Sequence, residues 1–454
     1  MPCCGVSAIQ SPDTIFALAT APGRAALAVV RLSGSRASNI LRSMIGALPE
    51  PRKATLAKIQ DPWSHQIIDH ALVYWFPGPA SFTGEDCIEF SIHGSRAVLV
   101  KLYNVLRQFP STRIATPGEF SRRALMNEKL SLLEVESLAD LISAETEQQR
   151  LLGIDGLSGK LRVVVDEWRE KLMAALVHVE CDLDFSDEEE VREYDGDYVV
   201  GVCRSVCDSI TEWLGHKNRG PLLRDGFTIL ISGPPNAGKS TLLNELARRD
   251  VAIISELPGT TRDLLEVHLD LQGYFVNLVD SAGVRETADQ IESIGIDKAF
   301  ARGKEADLIL WLCDHRERLQ PPQAFAGRPI WRVFTKCDTQ SFDGAIDSCS
   351  PDDCAALHIS ARTGLNIREL LDRLAAFVAS NLAGHGDVIA INERQSIALE
   401  SAREALRQVA EGIRYPEVVA AKLQEAVFEM QFIIGRVAAE EVLDQVFSRF
   451  CIGK

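Results

Sequence analysis

The sequence predicts a multidomain chain of α/β and α parts: an α/β module, then helices, with a doubly wound sheet inserted into them. Three observations carry this prediction. Short apolar runs between Pro/Gly turns fill the first ~125 residues. Hydrophobic spacing turns helical from about Leu130 to Leu214, and helices return over the last ~70 residues. Between them, strands and helices alternate from Phe227 to about Ala379.

In the first module the runs Ala26 to Leu32, Ala71 to Phe76 and Ile88 to Ile92 read as strands, separated by turns such as Ala21-Pro22-Gly23 and Phe76-Pro77-Gly78. Leu132, Leu133, Val135, Leu138, Leu141 and Ile142 recur at helical spacing. Ser186-Asp187-Glu188-Glu189 has the form of a capping box, so the acidic run Asp182 to Glu190 reads as a solvated helix start and not as a metal site. Arg219-Gly220-Pro221 breaks the helical pattern, and Ser380 to Asp387 is a second break. The closing helices are short for a core of their own and are expected to pack on those before residue 220.

The 454 residues are 46% apolar and 25% charged, which excludes disordered and fibrous classes. No apolar run reaches the ~18–20 residues of a membrane span, and no cation precedes Arg24, so neither a membrane anchor nor a secretory signal is expected. Lys and Arg total 48 against 64 Asp and Glu, a net charge of −16, so any RNA must be met through a local basic patch or a second protein. Eleven cysteines with no C-x2-C pair point to a reducing cytoplasm. Cys203 with Cys207 and Cys349 with Cys354 read as buried or incidental thiols.

The chemistry lies in the alternating region. Phe227 to Ser232 is an apolar strand and Thr241 to Leu246 starts a helix. Between them Gly233-Pro234-Pro235-Asn236-Ala237-Gly238-Lys239-Ser240 fits G-x-x-x-x-G-K-[ST] in the strand–loop–helix context of a P-loop. Backbone N–H groups converge there on phosphate oxygens, Lys239 reaches the β- and γ-phosphates, and Ser240 offers a hydroxyl to Mg2+. The strand Tyr274 to Val279 ends in Asp280-Ser281-Ala282-Gly283, a D-x-x-G that puts a carboxylate near the ion. Gly259-Thr260-Thr261 forms a candidate switch loop with a further hydroxyl.

A third strand leads into Thr335-Lys336-Cys337-Asp338, and Ile359 into Ser360-Ala361-Arg362. A carboxylate at Asp338 accepts two hydrogen bonds from guanine, and adenine has no matching donor pair. The nucleotide is therefore expected to be GTP. The usual motif has Asn at the position of Thr335 and Thr at that of Ser281, so weaker nucleotide affinity is expected with guanine selectivity retained. In Ras-like enzymes a Gln after D-x-x-G orients water; here Val284 stands there, leaving Arg285, Glu286, Asp289 and Glu292 as polar candidates. The Asn236 amide could hold a monovalent cation beside the phosphates.

Further segments then resemble one family: Asp13-Thr14-Ile15, Ala21 to Arg24, Val30 to Gly34, Ser81 to Asp86, Pro117 to Ser121, Lys129-Leu130, Ala139 to Ile142, Gly259 to Asp263, Ile291 to Gly295 and Phe450 to Lys454. Together with the P-loop they resemble the bacterial tRNA modification GTPases called MnmE or TrmE. The resemblance implies an α/β folate-binding and dimerisation domain over 1–128 and a helical domain over 129–222 and 381–454. The Ras-like G domain over 223–380 would be inserted between those two parts. It implies folate contacts at Arg31, Glu89, Lys129 and Lys454, and K+ ligands at Asn236, Ser255, Leu257 and Thr260. Mg2+ ligands would be Ser240 and Thr261, Glu292 would orient the catalytic water, and Cys451 is a candidate for chemistry on the RNA base.

The full GTP-contacting set so implied is Asn236, Ala237, Gly238, Lys239, Ser240, Thr241, Ser255, Glu256, Leu257, Pro258, Gly259, Thr260, Thr261, Asp280, Ser281, Ala282, Gly283, Thr335, Lys336, Cys337, Asp338, Ser360, Ala361 and Arg362. The implied reaction builds an aminomethyl-type group on C5 of the wobble uridine of certain tRNAs from 5,10-methylenetetrahydrofolate and an amine. A homodimer would act with an FAD-dependent partner, MnmG, in a heterotetramer or larger complex. His93-Gly94-Ser95-Arg96 departs from the family's Gly-Gly-Pro. Two alternatives stand beside this reading. A ribosome-assembly GTPase would bring a basic RNA-binding module, which the sequence lacks. The other is a folate-dependent transferase whose G domain only senses nucleotide; comparing tRNA nucleosides from cells with and without the protein separates the readings.

Overall fold

The computed structural model describes residues 13–184, 196–215, 217, 219–249, 251–253, 266–280, 306–316, 319–338, 357–382, 391–413, 415–435, 440–448, 450 and 453. The chain divides into two compact units. One holds Met1–Ala139, Gly159–Cys203 and Glu404–Lys454; the other holds Asp140–Ser158 and Arg204–Arg403.

The first unit is built on a six-stranded sheet. Its strands are β1 (Thr14–Leu18), β2 (Leu27–Ser33), β3 (Thr55–Gln60), β4 (Ile67–Phe76), β5 (Cys87–His93) and β6 (Thr112–Ile114), ordered β3-β4-β5-β2-β1-β6. All neighbours are antiparallel except β1 and β6. Alternation along β2 and β5 sends Val30, Leu32, Ile88, Phe90 and Ile92 to one face. There α1 (Ala37–Ile45) and α2 (Arg96–Leu106) bury Ile40, Leu41, Leu102 and Val105 against them. On the other face Leu27, Leu56 and Leu72 stay exposed.

Outside the sheet, α3 (Glu119–Met126) is followed by α4 (Leu132–Ser143), which starts two residues after the expected Leu130. The later helices of the chain are α10 (Ile367–Leu382), α11 (Glu393–Ala410), α12 (Pro416–Ile434) and α13 (Glu440–Ser448). Within the first unit, Leu132 and Val135 bury against Leu443, Phe447 and Phe450, next to α3. The 25-residue α6 (Lys160–Asp184) packs along α12, and Gln424 Nε2 donates to Glu180 at 3.2 Å. The expected packing of late helices on early ones is thus seen in this pair. The capping box at Ser186 and the run to Glu190 lie outside the described residues, as do Cys349 and Cys354. Cys203 is buried, and Cys207 Sγ lies 3.8 Å from the Arg403 carbonyl.

The second unit holds β7 (Phe227–Ser232), β8 (Glu266–Leu271), β9 (Tyr274–Asp280), β10 (Leu308–Asp314), β11 (Ile330–Thr335) and β12 (Leu357–His358). They are ordered β12-β11-β10-β7-β9-β8. The pairings are parallel except β8 with β9, so the expected doubly wound sheet carries one antiparallel edge. Central β10 is buried at all seven residues, as a strand covered on both faces must be. Helices α9 (Lys239–Ala247) and α10 contribute Leu242, Leu243, Leu246, Leu370, Leu374 and Val378 to its core.

One expectation is corrected. The helices do not stop at Leu214, where α7 (Gly196–Leu214) ends; Arg219-Gly220-Pro221 opens the short helix α8 (Arg219–Asp225). Proline is tolerated in a first turn, where its missing N–H has no intrahelical acceptor to lose. Gly220 is there because a Cβ would lie 1.9 Å from the Ile391 carbonyl oxygen. The second break also falls later than expected, since α10 runs on to Leu382. A Thr146/Gln149 capping box starts α5 (Glu147–Leu157), and Gln149 Nε2 donates to the Arg224 carbonyl at 2.8 Å. Among the described residues no helix is long and apolar enough to cross a membrane.

Candidate functional site

The parallel strands of the second unit deliver four loops to one edge of the sheet. The loop after β7 is shaped by backbone sterics. Gly233 has φ +151°, and a Cβ there would meet the Leu312 carbonyl oxygen at 2.1 Å, so only glycine fits. Asn236 and Gly238 both take left-handed angles, φ 62° and 91°, before α9 begins at Lys239. Successive turns of this kind aim N–H groups into one concavity at a helix N-terminus, the arrangement that suits phosphate.

Lys239 bends back over this loop and donates to the carbonyls of Gly233 at 2.8 Å and Pro234 at 2.9 Å. Burial lowers its pKa, and the nearby Asp280 carboxylate opposes that shift. Ser240 Oγ lies 3.3 Å from Asp280 Oδ2. A hydroxyl and a carboxylate oxygen held this close form part of a hard-oxygen donor set that suits Mg2+. Thr241 is the third residue of α9. The Asn236 side chain is exposed and has no hydrogen-bond partner among the described residues.

The loops expected to meet the base come next. Asp338 Oδ1 accepts from Ser360 Oγ at 2.8 Å, and the Cys337 amide donates to the Ile359 carbonyl at 3.3 Å, which ties the two loops together. The Ser360 hydroxyl is the main group holding the Asp338 carboxyl below the usual range, and Arg362 and His315 add to it. Asp338 is therefore a carboxylate at neutral pH, as guanine recognition requires. Ala361 packs against the core. Burial pushes the Cys337 thiol up, so it stays protonated and inert.

Thr335 is buried, and its Oγ1 donates to the Ala237 carbonyl of the P-loop at 2.7 Å. The hydroxyl thus ties the end of β11 to the P-loop with a single donor, where the usual Asn offers an amide. Sequence reasoning missed Asp314, the last residue of β10. Its carboxylate lies 3.3 Å from the Lys336 ammonium, just where Lys336 turns through φ 60°. No motif announces it, because the pair forms across neighbouring strands.

The first unit holds a second polar centre. Arg31 and Glu89 are opposite each other in the β2–β5 register, with Arg31 Nη2 2.8 Å and Nε 3.0 Å from Glu89 Oε1. The Arg31 guanidinium also lies over the rings of Phe82, at 5.0 Å, and Phe120, at 5.8 Å, two aromatics that sequence reasoning did not single out. Phe82 lies in the Ser81 to Asp86 segment, so the signal was present but unassigned. Gly84 of that segment leaves room for the Lys129 stem, whose Cε would be 3.2 Å from a Cβ there. Gly453 is buried against β1, and a Cβ on it would meet the Leu18 carbonyl oxygen at 2.1 Å. Ser255, Glu256, Leu257, Pro258, Gly259, Thr260, Thr261, Ser281, Ala282, Gly283, Glu292, Cys451 and Lys454 lie outside the described residues.

Two family models match. GTP-binding protein TrmE N-terminus covers residues 14–129, and MnmE helical domain covers 132–451. The protein named tRNA modification GTPase MnmE of Beijerinckia indica subsp. indica is 46% identical, over 97% of this chain and 96% of that protein. Those of the same name from Methylobacterium sp. and Bradyrhizobium sp. are 45% and 43% identical, over 97% of this chain and 100% and 99% of theirs. Among solved structures, Aquifex aeolicus Era bound to GDP.AlF4- covers 39% of this chain and 66% of its own. It is 25% identical with a TM-score of 0.27, too slight a likeness to argue from. On near-complete coverage of both chains at more than 40% identity, this chain belongs to the MnmE family of tRNA modification GTPases.

Proposed function

We propose that this GTPase modifies tRNA, building an aminomethyl or carboxymethylaminomethyl group on C5 of the wobble uridine from a folate one-carbon unit. The observation that carries the reading is the pairing of two chemistries in one chain: a guanine-nucleotide site in one unit and the Arg31–Glu89 centre in the other. A guanidinium and a carboxylate beside aromatic rings suit folate, which has a flat pterin with N–H donors and an anionic glutamate tail.

In the G domain, proposed over 223–380, Asp338 selects guanine and the P-loop with Lys239 holds the phosphates. Ser240 and Thr261 are the proposed Mg2+ ligands; when bound, the ion offsets charge on the phosphate oxygens. Asn236, with carbonyls of Ser255, Leu257 and Thr260, is proposed to hold K+. The Asn236 amide, exposed and without a hydrogen-bond partner among the described residues, supports its part. With Val284 unable to orient water, Glu292 is the proposed water-positioning residue, and Glu292→Ala should hydrolyse GTP about 10²–10⁴-fold slower with binding intact. Arg31, Glu89, Lys129 and Lys454 are the proposed folate contacts, with Cys451 a candidate for chemistry on the base.

The domain plan proposed is a folate-binding and dimerisation domain over 1–128 and a helical domain over 129–222 and 381–454. The α6–α12 packing supports joining the two helical parts. The protein is proposed to act in the cytoplasm as a homodimer with FAD-dependent MnmG, which would share the RNA contacts. Nucleoside analysis of tRNA from cells with and without this protein tests the reading. Loss of the C5-modified wobble uridine is expected; unaltered nucleosides would overturn it.

A further inference from the structure

We propose that a cationic end of the open sheet face in the first unit binds the phosphodiester backbone of the RNA substrate. This rests on the tRNA reading and adds a site to it. The place is a cavity of about 560 Å³ between the loop before β2 and the loop after β5, lined by Arg24, His93, Ser95 and Arg96. Two backbone bonds hold these loops together: Ala25 N donates to Gly94 O at 3.1 Å, and Gly94 N donates to Ala26 O at 3.3 Å. A Cβ on Gly94 would lie 2.4 Å from the Ala25 carbonyl oxygen, so glycine is what lets the loops approach. These bonds fix the main chain of the two loops that border the cavity.

The residues that line the cavity include two arginines and no acid. Arg24 and Arg96 are exposed, and neither has an ion pair or hydrogen bond among the described residues. Some arginines of this unit are held by acids, as Arg31 is by Glu89 and Arg123 by Asp13, Glu85 and Glu119. One acid touches the lining: Asp69 accepts from the His93 backbone N–H and meets the His93 Nδ1, each at 2.8 Å. The same two loop residues, Ser95 and Arg96, also begin α2. Its first turn has no acidic residue, and Ser95 makes no side-chain cap bond.

The open face continues from the cavity across the sheet, where Lys58 adds one further exposed cation. Leu56 pairs with Leu72, Leu72 with Ser91 and Ser91 with Val29, which fixes one row of the open face. Two residues along each strand lie Lys58, His70, His93 and Leu27, on that same face. Four strands at ~4.8 Å spacing span about 14 Å, room for more than one phosphate of a chain. Every one of these side chains is exposed, so a single small anion would stay largely hydrated there, whereas a polyanion engages several at once. A chain of net charge −16 can attract RNA only where cations are concentrated.

The test uses the full chain and a labelled, unmodified tRNA transcript, with the dissociation constant followed across KCl concentration. In the Arg24→Ala/Arg96→Ala variant the slope of log K against log salt should become shallower by about 1 to 2, as expected for one or two lost phosphate contacts. Arg24→Glu/Arg96→Glu should bind at least about tenfold more weakly. Both variants should melt as the wild type does and hydrolyse GTP at the wild-type basal rate. Wild-type slope and affinity in both variants would overturn the proposal, as would a wild-type chain that binds no transcript. Displacement of the transcript by millimolar inorganic phosphate at constant ionic strength would also overturn it, by showing a small-anion site. Nucleoside analysis decides the tRNA reading separately, so the two can fail independently.

Discussion

The two six-stranded sheets place their chemistry on different parts of the strand. In the parallel sheet β10 shows no exposed residue, and the residues of the proposed nucleotide site stand at or just past strand ends: Gly233, Asp280, Thr335 and Ser360. In the mostly antiparallel sheet one face is covered by α1 and α2. The other leaves Arg31 and Glu89 paired in mid-strand, side chain to side chain. A sheet covered on both faces has room for ligands only at its edge, where loops and helix N-termini converge. A sheet covered on one face can bind across its strands.

The largest predicted effect breaks the loop-built site with one atom type. Asp338→Asn removes the acceptor pair for guanine, at ~1.5–3 kcal/mol for each charge-assisted bond, so GTP affinity should fall by about 10²–10⁴. The amide pairs with xanthine instead, so XTP should outcompete GTP. Unchanged GTP preference in a competition assay would remove Asp338 from the site.

The strand-built centre should be less sensitive. Arg31→Ala removes one charged partner worth ~1.5–3 kcal/mol, so tetrahydrofolate affinity should fall about 10- to 100-fold by calorimetry, with GTP binding unaffected. Undiminished folate affinity would mean that the open face does not hold folate.

Acid should separate the units by kind of loss. In the first, the Lys101 ammonium holds the Asp61 carboxyl far below the ordinary range. Burial raises the Glu119 pKa, but Arg113, the Thr116 amide and Arg123 together outweigh it, so that carboxyl is also lowered. A carboxyl depressed in the folded state stabilises fully above its unfolded pKa of ~4, and that contribution is lost as pH falls toward the folded value. The melting temperature of this unit should therefore drop on acidification below about pH 5. Asp61→Asn should lower it by a few degrees at neutral pH and flatten the acid limb; an unaltered acid limb would clear Asp61. In the second unit, acid should instead weaken GTP binding once Asp338 is protonated, below the usual carboxylate range.

This difference also explains what the sequence could reveal. The P-loop and the stretch Thr335 to Asp338 are each unbroken in sequence, as sites built from single loops are, so residue spacing maps onto geometry there. The β7 bounds and, to within a residue, those of β9 followed from apolar runs, and α8 was hidden by a Gly-Pro pair that reads as a break. Arg31 and Glu89 are 58 residues apart. Only register brings them together, so no local pattern marks them, and they were reached through resemblance alone. Phe82, Phe120 and Asp314 were missed for the same reason, since each acts across strands or loops.

The smallest predicted effect concerns Thr335, where loop and strand chemistry meet. Its hydroxyl has one proton and two carbonyls in reach, Ala237 at 2.7 Å and Cys313 at 3.3 Å. The shorter contact takes the proton, which ties the end of β11 to the P-loop. Thr335→Val keeps the shape and removes the donor, leaving the Ala237 carbonyl short of a partner at a cost of ~1–3 kcal/mol. Part of that cost falls on the folded protein without nucleotide, so GTP affinity should drop only a few-fold while the melting temperature falls. Thr335→Asn brings two N–H donors and can serve both carbonyls, so it should bind GTP at least as tightly as the wild type. Valine and asparagine variants with equal GTP affinity and equal melting temperature would show that this tie carries no weight, and that the P-loop holds its form through Gly233, Asn236 and Gly238 alone.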